Sequence, residues 1–469
     1  MIKKINKYLF IVTSLIQMCI SQTAVDSNMP SRLLYLYSNE YIINQFKDNQ
    51  PLKIRFRNSL YLNNNLPNLE NINGVYIPKG YGNYSSISYN LNLKNLSISF
   101  EPLIFKRIEY KVNIPEKTKS FSVLNDVQNN KFSQNNFRNT GIILKNNFLS
   151  TGYGNWNNWW GSGVHNSLIL SNNSQGFFHY FIGTNKFKKV YNNLFFKYNY
   201  MVSEAMQNFS GDNYFFSAWY LNFKYKELEF GMASNTLSGG NGDLEWTFTD
   251  ALLLFFTKKN NKYWDINRYL FIKSVIPDSK LTLFIEIGFP KQNFNEYVLS
   301  YPYDHGMATN LGFRKKDIFR NEALLIGFEY TRLVQAVNYE RIPSSNWYDN
   351  IKYNYSSFKG RRWGAHSGSD SDDFLVYIGY LDSKIGFVYE LNYERHGITY
   401  HFPPEVKFER RISTSFFAKN FTFSIAYENE YYEHYGFVDS NSNVWDETFE
   451  NGSVQKTKTI LFSMDYKIF

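Results

Sequence analysis

The stretch FLVYIGYLDSKIGFVYELNY, residues 374–393, decides the fold. Phe374, Val376, Ile378 and Tyr380 occupy alternate positions, Asp382-Ser383-Lys384 interrupts them, and Ile385, Phe387, Tyr389, Leu391 and Tyr393 resume the alternation. Alternate side chains of an extended chain lie on one face, so the stretch predicts two antiparallel strands joined by a tight turn. Upstream, NLNLKNLSISF (90–100) repeats the device about Lys94-Asn95. Trp219, Leu221, Phe223 and Tyr225 make another such face, and so do Leu281, Leu283, Ile285 and Ile287 after Pro277-Asp278-Ser279. Downstream, Phe421, Phe423, Ile425 and Tyr427 continue the period, and Phe462, Met464, Tyr466 and Ile468 precede the terminal Phe469. A terminal aromatic on a last alternating strand is a mark that outer-membrane insertion machinery reads, although Phe469 stands one residue out of phase.

Composition says what these strands face. The 469 residues include 38 Tyr and 43 Phe, yet 19% are charged. After Ile20 no stretch approaches eighteen apolar residues, so any crossing of a membrane must be made by strands. Aromatic and polar at once is the composition of strands with one face in lipid and one in water, which predicts an all-β transmembrane barrel. At roughly 25 residues per strand and its connection, on the order of 16 to 18 antiparallel strands are expected. A soluble sandwich or propeller does not need so many aromatics on the alternating face.

The N-terminus reads as an export signal, residues 1–21. Lys3, Lys4 and Lys7 precede an apolar run from Tyr8 to Ile20 that is short for an anchor, and Cys19-Ile20-Ser21 offers a small-x-small cleavage site. Lipoprotein processing at Cys19 is the alternative, with Met18 where a small residue is wanted. The single cysteine leaves with the signal, so no disulfide is expected. Residues 22–70 are expected to form a periplasmic segment, helical over Ser31–Phe46, where Leu34, Tyr37, Tyr41 and Ile42 fall at helical spacing before Pro51. The barrel is then assigned to 71–469, and the location to the outer membrane.

The net charge of +9, about +6 without the signal lysines, suits an acidic glycan or lipid phosphate. Lys and Arg are scattered among Asp and Glu, which argues against nucleic acid. HExxH, a phosphate-cradling GxxxxGK[ST] and a GxSxG elbow are absent, so neither an enzyme nor a metal or cofactor is expected. His396 and His401 flank a turn without a third ligand at metal spacing. Glu428 and Glu430 share a strand face and are placed to point together into a lumen.

The densest local signal is TGYGNWNNWWGSGVHNSLILSNNSQ, residues 151–175. Trp156, Trp159 and Trp160 offer flat faces to sugars, and Asn155, Asn157, Asn158, Asn172 and Asn173 offer paired donors and acceptors. The plainer reading is an interfacial aromatic belt, with Gly161 and Gly163 making a tight bend. Trp159-Trp160-Gly161-Ser162-Gly163 followed by Ser167-Leu168-Ile169-Leu170-Ser171-Asn172-Asn173 resembles the signature of the Wzi capsule-assembly family, WWGPG, three variable residues, then SLILSNNARP. Ser162 replaces the usual Pro and Gln175-Gly176 the usual Arg-Pro, so no role of that Arg carries over. GRRWGAHSGSDSDD, residues 360–373, resembles a later segment of the family through Gly364, His366, Gly368 and Asp370, and Gly80-Tyr81-Gly82 fits as well. The resemblance implies an outer-membrane barrel with a periplasmic helical element, which binds capsular or exopolysaccharide and helps organise it.

On this reading Arg361 and Arg362 pair with acidic groups of a glycan, Trp363 stacks, and His366 and Asp370 join the same surface. Asp372 and Asp373 stand beside them for sugar hydroxyls or a cation. A loop whose charges neutralise one another is the plainer alternative. The expected partners are a surface polysaccharide and outer-membrane lipids including lipopolysaccharide, with the chain a monomer. A porin or substrate-specific diffusion channel is the alternative function, and a surface hydrolase a third.

Overall fold

In the computed structural model the described residues are 31–36, 51–68, 70–110, 137–184, 186–207, 211, 213–239, 264–290, 307–334, 347–348, 350–399, 403–436 and 454–468. Strands dominate them. In chain order these are β1 Leu52–Asn63, β2 Gly80–Asn92, β3 Leu96–Glu109, β4 Phe137–Lys145, β5 Leu149–Gly154, β6 His179–Thr184, β7 Lys188–Tyr191, β8 Leu194–Gln207, β9 Asn213–Tyr225 and β10 Leu228–Gly239. Then follow β11 Asp265–Ile276, β12 Leu281–Pro290, β13 Ala308–Ile318, β14 Asn321–Arg332, β15 Ser357–Phe358, β16 Arg361–Arg362, β17 Ser371–Leu381, β18 Ile385–His396, β19 Glu405–Ala418, β20 Phe421–Glu433 and β21 Gln455–Lys467. Only β15 and β16 stand apart, as a two-residue ladder in the loop before β17.

Each remaining strand pairs antiparallel with its neighbour, and β1 pairs with both β2 and β21, so the sheet closes. Because β6 and β7 both pair with β8 they are one interrupted strand, and the barrel has 18. The deciding stretch folds as read, with Phe374 opposite Tyr393, Val376 opposite Leu391 and Ile378 opposite Tyr389. Its alternation is an inside-out one. Phe374, Val376, Ile378 and Tyr380 are exposed on the outer wall, while Leu375, Tyr377 and Leu381 are buried within. Such an apolar outer face belongs against hydrocarbon, and closure leaves no unpaired edge there.

Short connections, among them 93–95, 226–227, 382–384 and 419–420, all lie at the end where β1 begins and β21 finishes. In outer-membrane barrels that end faces the periplasm and the long loops face outward. The long connections 64–79, 155–178 and 333–370 carry buried residues that fill the interior.

The N-terminal division differs from expectation. The barrel begins at Leu52, not at 71: Leu52, Ile54, Phe56, Leu60 and Leu62 make the outer row of its first strand, interrupted only by Asn58, while Lys53, Arg55 and Arg57 face inward. Residues 32–36 are helical but sit inside the barrel, with Leu33 and Leu34 packed against Val164, Leu325, Leu375, Leu381 and Val388. Inward leucines of β14 and β17 near the short-turn end give this helix an apolar seat, so it is not a free periplasmic element. The rest of the expected helix, residues 1–21 and Phe469 lie outside the described residues.

Candidate functional site

The loop between β5 and β6 runs inward. Its arms meet where Trp160 N donates to Leu170 O at 2.9 Å, and Ser167 Oγ donates to Trp160 O at 2.6 Å. From the wall, Tyr269 OH donates to the same carbonyl at 2.9 Å. Leu168, Ile169 and Leu170 join Trp160, Phe216, Tyr220 and Trp363 in the largest apolar cluster of the interior. Between the arms the chain turns through Gly161–Asn166 and points its backbone N–H groups at two wall carboxylates. Ser162 N donates to Glu286 of β12, and Val164 N and Asn166 N each donate to Glu329 of β14 at 2.7 Å, with His165 N at 3.1 Å. Buried carboxylates and orphan amides satisfy each other in this way.

The two glycines follow from that approach. A Cβ on Gly163 would stand 2.5 Å from Glu329 Oε1 and 2.6 Å from Asn166 O, and one on Gly161 would stand 2.7 Å from Ser167 Oγ. The tight bend expected of Gly161 and Gly163 is therefore a bend against the wall.

Two further loops clip to this plug. Ser171 N donates to Trp363 O at 2.5 Å and Ser171 Oγ to Gly364 O at 2.6 Å, while Asn173 Nδ2 donates to Arg362 O at 3.2 Å. Asn172 Nδ2 donates to Asn71 O at 2.7 Å, which brings in the β1–β2 loop. Asp370 accepts from Thr399 N at 2.9 Å and from its hydroxyl, so it pins the β18–β19 connection.

Sequence reading offered these side chains to a glycan, and the structure places nearly all of them inside. Trp159, Trp160, Trp363, Arg362 and Asn173 have 0% exposure, and Arg361, His366, Asp370 and Asn172 are likewise buried. Their faces are occupied. The Arg32 guanidinium lies 3.7 Å over Trp159, and burial pushes its pKa down to about 9. Tyr220 packs on Trp160 at 5.5 Å, and Phe216 meets Trp363 edge-on at 5.3 Å. Burial also lowers the pKa of Arg361, with Glu70 opposing it. What these residues meet is other side chains and backbone of the interior, because tryptophan and asparagine serve a packed polar interior as well as a sugar. Trp156 is the exception in part: half-buried, it donates Nε1 to Ser99 Oγ at 3.0 Å and lines a cleft of about 240 Å³, open solvent included, with Asn157, Asn158, Ser174 and Phe177.

A charged layer couples plug to wall. Lys407 Nζ of β19 lies 2.8 Å from Glu70 of the β1–β2 loop and 3.2 Å from Glu394, Glu409 and Glu430. Arg411 meets Glu409 at 2.8 Å and Glu428 more closely still. The Glu428 and Glu430 pair read from the strand pattern does point inward, and each acid faces a cation. Burial would raise the pKa of Glu70, but Lys407 and His366 hold it down at about 2. Glu286, Glu329, Lys407 and Arg411 went unremarked in the sequence, since a charged residue at an inward position looks the same whether it meets water or a loop.

Against solved structures the barrel matches Wzi of Escherichia coli, described as an outer-membrane protein involved in group 1 capsule assembly and a carbohydrate-binding β-barrel. The TM-score is 0.62 over 97% of this chain and 96% of that one, at 12% identity. The chain has the Wzi fold. OccAB1 of Acinetobacter baumannii and OpdQ of Pseudomonas aeruginosa follow with TM-scores of 0.47 and 0.46, each at 10% identity over 89% of this chain and 96% and 98% of theirs. No family model and no curated protein matches. A Wzi-like outer-membrane barrel, its interior densely filled by the described residues, is what the fold and the likeness to Wzi establish together.

Proposed function

We propose that this barrel is a non-enzymatic member of the Wzi family, which binds capsular or exopolysaccharide and helps assemble or attach it at the cell surface. The filled lumen carries the reading. Three inward loops are hydrogen-bonded to one another and to the wall, and Leu33 and Leu34 of the N-terminal helix pack beside them, which among the described residues supports a working surface at the long-loop end over a continuous pore. The motif likeness over Trp159–Asn173 and the Wzi fold support the same conclusion.

Within it the site residues divide. Trp156 and Asn158, the half-buried members, are the direct glycan contacts, whereas Trp159, Trp160, Asn172, Asn173, Arg361, Arg362, Trp363, His366 and Asp370 hold the plug in shape. Polysaccharide and the surrounding outer-membrane lipids are the partners, and the barrel acts as a monomer behind a cleaved export signal.

The test is retention of the host's surface polysaccharide by the detergent-purified chain. Parent protein is expected to retain it and Trp156→Ala to retain it about ten- to a hundredfold less, the loss of one stacking contact and its neighbours. Parent protein that retains none, together with pore-like conductance in planar bilayers, would overturn the reading in favour of a diffusion channel.

A further inference from the structure

Where the plug meets β17 and β18, two histidines and two carboxylates converge from four separate pieces of chain. His165 comes from the β5–β6 loop, His366 from the β14–β17 loop, Asp373 from β17 and Glu394 from β18. All four are buried, and one ligand atom from each lies within 4.8 Å of the other three. His165 Nε2 stands 3.2 Å from Asp373 Oδ2, and His366 Nε2 stands 3.4 Å from both Asp373 Oδ2 and Glu394 Oε1. A tetrahedral ion with ligands at the usual 2.0–2.2 Å has ligand-to-ligand edges of about 3.3–3.5 Å. Two of the six edges are already at that length, and the His165–Asp373 edge is within 0.1 Å of it.

The surroundings hold the four groups in place as a second shell would. Asn392 Nδ2 donates to Asp373 Oδ1 at 2.5 Å and so turns Oδ2 toward the rings, with Asn166 Nδ2 at 2.7 Å from that oxygen. His396 Nε2 lies 3.1 Å from Glu394 Oε2 and leaves Oε1 facing His366. One contact is unresolved by protons alone. His165 Nε2 faces an acceptor, Asp373 Oδ2, and also a donor, Asn392 Nδ2 at 3.0 Å, and a single ring nitrogen cannot donate to one and accept from the other. Turning the Asn392 amide over would set its oxygen against Asp373. A cation between the ring and the carboxylate lets both offer lone pairs to it, and leaves the Asn392 amide to donate to Asp373 Oδ1.

We propose that His165, His366, Asp373 and Glu394 form a structural site for a divalent transition ion of the Zn²⁺ class, which fastens the plug to the barrel wall. Two imidazoles and two carboxylates are a donor set that Zn²⁺ takes tetrahedrally, and they neutralise its charge. The neighbouring trio Glu70, Glu409 and Glu430 is not a second site, since the Lys407 ammonium lies among its oxygens. Lys407 also lies 3.2 Å from Glu394 Oε1, which makes Glu394 the weakest of the four ligands. Burial means that the ion enters as the plug folds.

The test uses the full-length chain, unfolded in chelator, refolded into detergent with Zn²⁺ alone, dialysed and analysed for metal. The expected result is about one Zn²⁺ per chain, a raised unfolding temperature relative to chelator-refolded protein, and tetrahedral visible bands when Co²⁺ replaces Zn²⁺. His434→Gln, outside the cluster, should keep the ion, and His165→Gln with Asp373→Asn should lose it. Should those variants fail to refold, the Co²⁺ spectrum of the parent chain decides. Zn²⁺ below about a tenth per chain, equal retention by parent and refolded ligand variants, or an octahedral Co²⁺ spectrum would each overturn the proposal.

Discussion

Gly163 and Glu70 show how single residues hold this interior together. The space for a side chain at Gly163 is taken by a wall carboxylate and a backbone oxygen, so Gly163→Ala must push the plug away from Glu329. Overpacking of this kind costs about 1–3 kcal/mol, and urea titration followed by tryptophan fluorescence should show an earlier transition. Glu70 acts through charge. Its carboxyl is held below its ordinary pKa, so its contribution is complete above about pH 4.5 and is lost as the pH falls toward 2. Acid should therefore loosen the β1–β2 loop over that window, read as tryptophan fluorescence against pH. Glu70→Gln should flatten the part of the curve that Glu70 supplies, and an unchanged curve would remove Glu70 from this role.

At the level of strands and loops, the wall has its own buried ion cluster. Arg57 of β1 reaches Glu101 of β3 at 2.9 Å and Asp465 of β21 at 3.0 Å, and Arg138 of β4 reaches Glu101 at 2.6 Å. Glu101→Ala would leave two guanidiniums short of their shared anion, a loss of about 3–5 kcal/mol. Thermal unfolding in detergent should register it, and double replacement of Glu101 and Arg138 by apolar residues should cost less than the single change. The strands themselves were legible because lipid on one side imposes a strict period of two, as in Phe374 to Tyr393. β1 was not, since Asn58 interrupts its outer apolar row, with Leu52, Ile54 and Phe56 before it and Leu60 and Leu62 after. Loop roles were harder still to read. The run from Trp159 to Asn173 stood out as unusual, but whether a tryptophan meets a sugar or an arginine is decided by residues such as Arg32 that lie far away in the chain.

The whole molecule is a closed wall around a packed centre. If the plug is held chiefly by the amide clamp on Glu286 and Glu329, then Glu286→Ala with Glu329→Ala should free it, since each exchange leaves buried N–H groups without acceptors. Planar-bilayer recordings should find the parent chain near baseline and the double variant conducting. Equal conductance in the two would mean that the clamp does not govern occlusion. The seat of residues 32–36 has one more consequence, and it concerns order in time. Leu34 precedes the first strand, yet it packs where a Cβ on Gly386 would fall, beside leucines that become neighbours only when β14, β17 and β18 have paired. A segment that precedes the whole wall in the chain must therefore wait for some of the last strands to pair, either threading in through the short-turn mouth or being enclosed as the final strands come round.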